Sequence, residues 1–122
     1  MAIIPTVRST DMARSVAFYT GVLDFEVVGV WPTTGDPAFA ELTRGGDRLQ
    51  LSSHSGDGLV GQAVAIEVDE VDELFSTYRA RGLDVAARAE SPVHRAPLDQ
   101  SWGTREFYVD DPDGNVLRFI RR

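Results

Sequence analysis

Along most of this chain apolar and polar residues alternate, and twice the alternation gives way to apolar residues at helical spacing. Ile3 to Val7 reads as a short apolar strand, and Ser9-Thr10-Asp11 after it offers capping side chains for a helix from about Met12. Met12, Val16, Tyr19 and Leu23 fall on one helical face, so this helix buries one side. Phe25 to Trp31, rich in valine, predicts a second strand, and Pro32 to Pro37 a loop. Ala38 to Thr43 and Arg48 to Ser53 then flank Arg44-Gly45-Gly46-Asp47 as a hairpin.

After the glycine-rich stretch from His54 to Gly61 the same order restarts. Ala63 to Val68 predicts a strand, Asp69 a helix N-cap, and Val71, Leu74, Phe75 and Tyr78 an apolar helical stripe, with Gly82 at the left-handed C-terminal position. Asp84 to Glu90 reads as a strand and Ser91 to Ser101 as a loop. Arg105 to Val109 and Val116 to Ile120 form a hairpin about Asp111-Pro112-Asp113-Gly114-Asn115. Ile4 aligns with Ala63, Tyr19 with Tyr78, and Gly46 to Leu51 with Gly114 to Phe119. Two copies of so long a unit mean a duplicated βαβββ module, not a solenoid. The expectation is one α+β domain over residues 1–122, with modules 1–54 and 63–122 joined by a connector at about 55–62.

Composition narrows the picture. A chain of 122 residues, 43% hydrophobic and 25% charged, can bury one core without metal or disulfide support. It has no cysteine, which excludes disulfides, thiolate metal sites and a cysteine nucleophile. The net charge of −7 argues against nucleic acid, and no apolar run is long enough to cross a bilayer. The first residues lack the pattern of a signal peptide, so the expected location is the cytoplasm. There is no Gly-x-Ser-x-Gly elbow, phosphate loop or dinucleotide fingerprint.

Period-two alternation assigns side chains to the two faces of each sheet. Leu49, Leu51, Phe107, Val109, Leu117 and Phe119 suit the helix side. That leaves Gln50, Glu106, Tyr108 and Arg118 opposite, with Phe39 on the same open face and Trp31 and Trp102 near the rim. Aromatic surface with a few orienting polar groups is the composition of a small-molecule site. Trp31, Phe39, Gln50, Trp102, Arg105, Glu106, Tyr108 and Arg118 are therefore the candidate ligand-binding residues. The competing structural reading is that Glu106 and Arg118 form only a cross-strand ion pair. His54 and His94 read as solvated loop histidines, with a general-base role as the alternative.

A duplicated βαβββ that carries Asp11 to Phe25 in its first helix and Trp102 to Asn115 in its last hairpin resembles the vicinal oxygen chelate superfamily. That group contains glyoxalase I, extradiol dioxygenases and bleomycin-resistance proteins, and the terminal motif is most similar to the last. The resemblance implies curved mixed sheets with helices outside, the glyoxalase/bleomycin-resistance fold. It places the family's metal-ligand positions at Ile4, Gln50, Ala63 and Arg118, a set that cannot hold a divalent cation, so neither a metal nor another cofactor is expected. It further implies a homodimer and a binder that sequesters an aromatic or cationic small molecule. The alternatives are a glyoxalase-type metal-dependent lyase, isomerase or dioxygenase with other ligands, and a metal-free enzyme using Glu106 or a histidine as base.

Overall fold

Two four-stranded sheets, each backed by one main helix, make up the fold in a computed structural model that describes all of residues 1–122. In the first module β1 (Thr6–Arg8) is followed by α1 (Met12–Ala17), which runs on into a wider π-helical turn over Phe18–Val22. Then come β2 (Glu26–Trp31), β3 (Phe39–Arg44) and β4 (Asp47–Ser52). The second module holds β5 (Ala63–Glu67), α2 (Val71–Ala80), α3 (Pro92–Arg95), β6 (Leu98–Asp99), β7 (Arg105–Asp110) and β8 (Val116–Arg121). The sheet orders β1-β4-β3-β2 and β5-β8-β7-β6 are the same topology twice, with the first and last strands parallel and the others antiparallel.

The alternation lands as the sequence predicts. Ala40, Leu42, Leu51, Phe107, Leu117 and Phe119 are fully buried against the helices, with Leu49 and Val109 nearly so. From α1 and the turn after it come Met12, Tyr19 and Leu23, and from α2 Val71, Phe75 and Tyr78, all in the same core cluster. Phe107 and Phe119 stack at 4.9 Å, with Phe75 and Tyr78 edge-on to Phe107, so a cluster of four rings packs among Val71, Val109 and Leu117 in the core of the second module. Asp11 caps α1 by accepting from Arg14 N–H at 3.1 Å. Gly82 ends α2 at φ +105°, a conformation in which a Cβ would be strained.

Side chains of one module are held by the other. Asn115, fully buried in the last hairpin, accepts from the Gly61 and Gln62 N–H groups at 2.9 and 3.1 Å and donates to the Arg8 carbonyl at 2.8 Å. One amide thereby fixes the connector beside β1. Arg81 donates to the Thr20 and Leu23 carbonyls at 2.7 and 2.6 Å, closing the turn after α1 onto the end of α2. Tyr78 donates to Asp24, which Arg44 also grips in bidentate fashion at 2.8 and 3.1 Å.

Three expectations change. Asp84 to Glu90 is not a strand; Ala86–Arg88 is a 3-10 turn. Its alanines offer no β-branched surface for pairing, and the edge position passes to the two-residue β6 beyond α3. The N-cap of α2 is Glu70 rather than Asp69, and its side chain makes no capping bond. His94 is not a solvated loop histidine but is 7% exposed.

Candidate functional site

The sheet faces turned away from the helices carry two separate groups of side chains, one in each module. On the first sheet Trp31 and Phe39 sit directly opposite each other on β2 and β3, their rings stacked at 6.2 Å and 26°. Trp31 remains 54% exposed. A Cβ on Gly29 would overlap the six-membered ring of this indole, so the glycine is what lets the ring lie back over its own strand. Gln50, next on this face, is paired with Thr6 of β1 and accepts from its hydroxyl at 3.0 Å. Together with Phe39 and the connector residues Asp57, Gly58 and Gln62 they line a cavity of about 320 Å³.

On the second sheet everything turns on Glu106, which is fully buried. Its Oε1 accepts from Arg118 Nη2 at 2.8 Å, and its Oε2 accepts from Trp102 Nε1 at 2.9 Å and from the Thr104 hydroxyl. Burial pulls this carboxyl upward, but the hydrogen bonds from Thr104, Arg118 and Trp102 outweigh it and hold the group below the ordinary carboxylate value. Glu106 is thus an ionised anchor with both oxygens occupied. It fixes the indole of Trp102, whose residue stays 62% exposed, and it fixes the guanidinium that lies 5.2 Å from the ring centre of Tyr108.

Beyond Tyr108 the segment containing the 3-10 turn and α3 folds against the same face. Asp110 accepts from Arg88 Nη1 at 2.5 Å and lies 2.8 Å from His94 Nε2, while His94 Nδ1 lies 2.7 Å from the Ser91 hydroxyl. The imidazole stands edge-on to Tyr108 at 5.7 Å. These contacts make His94 a wall of the site, and no local spacing in the sequence announces them. His54, by contrast, is exposed.

Of the eight candidate residues, Trp31, Phe39 and Gln50 therefore gather on one sheet, and Trp102, Glu106, Tyr108 and Arg118 on the other. No hydrogen bond, ion pair or ring contact links the two groups. Arg105 belongs to neither. It shares the helix side with Phe107 and Val109, where it grips Asp72 of α2 at 2.8 and 2.9 Å and Asp99 at 3.3 Å. Strict alternation from Phe107 already puts it there. Thr104 and Gly29 are additional contributors. Thr104 was legible from its place between Trp102 and Glu106 on the same alternating positions, whereas Gly29 required the position of Trp31.

The positions at which the resemblance implies metal ligands do not fit a divalent cation. Ile4 and Ala63 bear no donor, the Gln50 amide is engaged with Thr6, and Arg118 is a guanidinium already bound to the nearest carboxylate. Strand register moves the neighbours of Gln50 and Arg118 to Thr6 and Ala65, which supply a hydroxyl and a methyl. Neither change creates an anionic or imidazole donor set.

Residues 4–119 match the family model described as the Glyoxalase/Bleomycin resistance protein/Dioxygenase superfamily. A bleomycin resistance protein of Klebsiella pneumoniae is 28% identical over 119 residues, covering 96% of this chain and 89% of its own. Among solved structures, a bleomycin resistance determinant encoded on the transposon Tn5 superposes with a TM-score of 0.76 at 25% identity, covering all of this chain and 98% of that one. The bleomycin-binding protein of bleomycin-producing Streptomyces verticillus, solved with copper(II)-bleomycin, gives a TM-score of 0.70 at 29% identity over 98% of this chain and 93% of that one.

Proposed function

Because this chain belongs to the glyoxalase/bleomycin resistance protein/dioxygenase superfamily, we propose that it is a metal-free binding protein that sequesters an aromatic small molecule without transforming it. The observation that carries this reading is the pair of exposed tryptophans, each fixed in place on an open sheet face: Trp31 stacked on Phe39, and Trp102 tethered to Glu106. Exposed indoles held rigid lose little entropy when a planar ligand stacks on them. Relatives named for bleomycin resistance and bleomycin binding support sequestration as the mode of action. The metal-dependent lyase, isomerase or dioxygenase reading lacks a donor set. A metal-free enzyme using Glu106 as base lacks an accessible basic oxygen, since both are occupied.

The site is two half-clefts, and a homodimer in which the open face of one module meets the other module of a second chain would close them. The separation of the Trp31 and Trp102 groups within one chain supports that arrangement. A thermal-shift screen of bleomycin and other planar antibiotics tests the proposal, because a ligand that binds only the folded state raises the melting temperature with its concentration. A hit should quench tryptophan emission in the native protein and lose most of that quenching in Trp102→Phe. Failure of every planar compound to shift melting or emission would reject the proposal.

A further inference from the structure

We propose that the ligand carries an anionic or strongly accepting oxygen group, such as a carboxylate, next to its planar ring, and that Arg118 is the residue that receives it. The inference rests on the binding reading above and names the ligand class for the second half-cleft.

Every carboxylate on this face already has its own partners. Glu106 is fully buried with three donors on its two oxygens. Asp110 is shared by Arg88 and His94, and Glu67 is paired with Arg122. Glu106 and Asp110 are thereby committed, while Glu67 is held only by an exposed ion pair at the edge of the face.

Arg118 is in the opposite condition. A guanidinium has five N–H donors, and here Nη2 donates to Glu106 while the Tyr108 side chain lies alongside, which leaves most of the donors free. Nε is buried without a partner, and Nη1 makes no hydrogen bond at the accessible end of a side chain that is 32% exposed. The strand beside it carries Ala65 directly opposite, with Ala63 one pair away toward one end and Glu67, paired with Arg122, one pair away toward the other, so the residue facing the guanidinium itself offers only a methyl group. Glu106 also fixes the spacing of the recognition elements. The Arg118 and Trp102 nitrogens that bind one carboxylate lie within roughly 8 Å of each other, the span of a small aromatic ring and one substituent. The net charge of −7 favours cations only at long range, where salt screens it, while Arg118 acts at contact.

Titration of tryptophan emission with 2-naphthoate, 2-naphthamide and 2-naphthylmethylammonium tests this directly. The expected result is that the carboxylate binds at least about tenfold more tightly than the amide or the ammonium, the scale of one charge-assisted hydrogen bond. Removing the pair together in Arg118→Gln/Glu106→Gln leaves no unpaired charge buried, and in that folded variant the preference should fall to about one. Equal binding of all three by the native protein, or preference for the ammonium, would overturn the inference while leaving aromatic binding intact. A preference for the carboxylate that survives in the double variant would also overturn it. If none of the three alters the emission at millimolar concentration, the binding reading itself fails at this half-cleft.

Discussion

Tyr19 donates its hydroxyl to Asp111 Oδ2 at 2.8 Å, joining the turn after α1 to the last hairpin across the boundary between the modules. Both phenols of the repeat are used in this way, since Tyr78 donates to Asp24 on the other side. Burial first, and the neighbouring carboxylates second, keep both hydroxyls protonated far above the ordinary value of 10.0. In the unfolded chain they ionise near that value. Their contribution is therefore complete below pH 10 and declines as pH rises above it.

Tyr19→Phe removes one buried hydroxyl and leaves Asp111 one donor short. It should cost about 1–2 kcal/mol at neutral pH and should make the alkaline decline shallower. Urea denaturation at several pH values between 7 and 11 measures both effects. An unchanged alkaline slope would show that Tyr19 is not held protonated.

Acid acts on the carboxylates of both modules. Glu106 is held below its ordinary value of 4.5, so its contribution is present above that pH and lost as pH falls through the depressed value of the folded state. Asp24 is shifted in the same direction, where the bonds from Arg44 and Tyr78 overcome the upward pull of burial. Acid sensitivity of the whole protein thus has at least two sources. The double variant Arg118→Gln/Glu106→Gln should retain the Asp24 part and lose the Glu106 part, which urea midpoints between pH 7 and pH 3 will separate.

Gly29→Ala tests whether the position of Trp31, rather than its presence alone, matters. The added methyl would displace the far end of the indole and leave the core untouched. Folding stability should drop by no more than about 1 kcal/mol, while affinity for a planar ligand should fall by about tenfold. Equal affinity would remove Trp31 from the cleft.

Mixing two damaged chains tests how the half-clefts pair. A Phe39→Ala protein and a Trp102→Ala protein each have impaired clefts. If each cleft joins modules of different chains, a mixed dimer has one intact cleft and one doubly impaired. Titration after subunit exchange should then recover high-affinity sites in the mixture. If the modules pair within a chain, mixing recovers nothing.

The sequence disclosed those parts of the architecture that are set by local periodicity. Apolar stripes located both helices, and alternation put Phe107, Val109, Leu117 and Phe119 on the buried side and Gln50, Glu106, Tyr108 and Arg118 opposite. The stretch from Asp84 to Leu98 was not legible, because its form depends on Asp110 binding Arg88 and His94 across the chain. The burial of His94 follows from the same contacts. Arg105 shows a different failure, since its position was available from the alternation and its charge suggested a ligand instead. Asn115 looked like one more turn residue, and only its hydrogen bonds to Gly61, Gln62 and Arg8 show that it holds two modules in register.

Sequestration without chemistry is tested most directly by equilibrium dialysis against a hit from the thermal-shift screen, followed by mass measurement of the released compound. The expected result is saturable binding, one molecule per cleft, that survives exhaustive chelation of metals, and recovery of the compound with its mass unchanged. Release of an altered compound, or binding abolished by chelation and restored by a divalent metal, would contradict it.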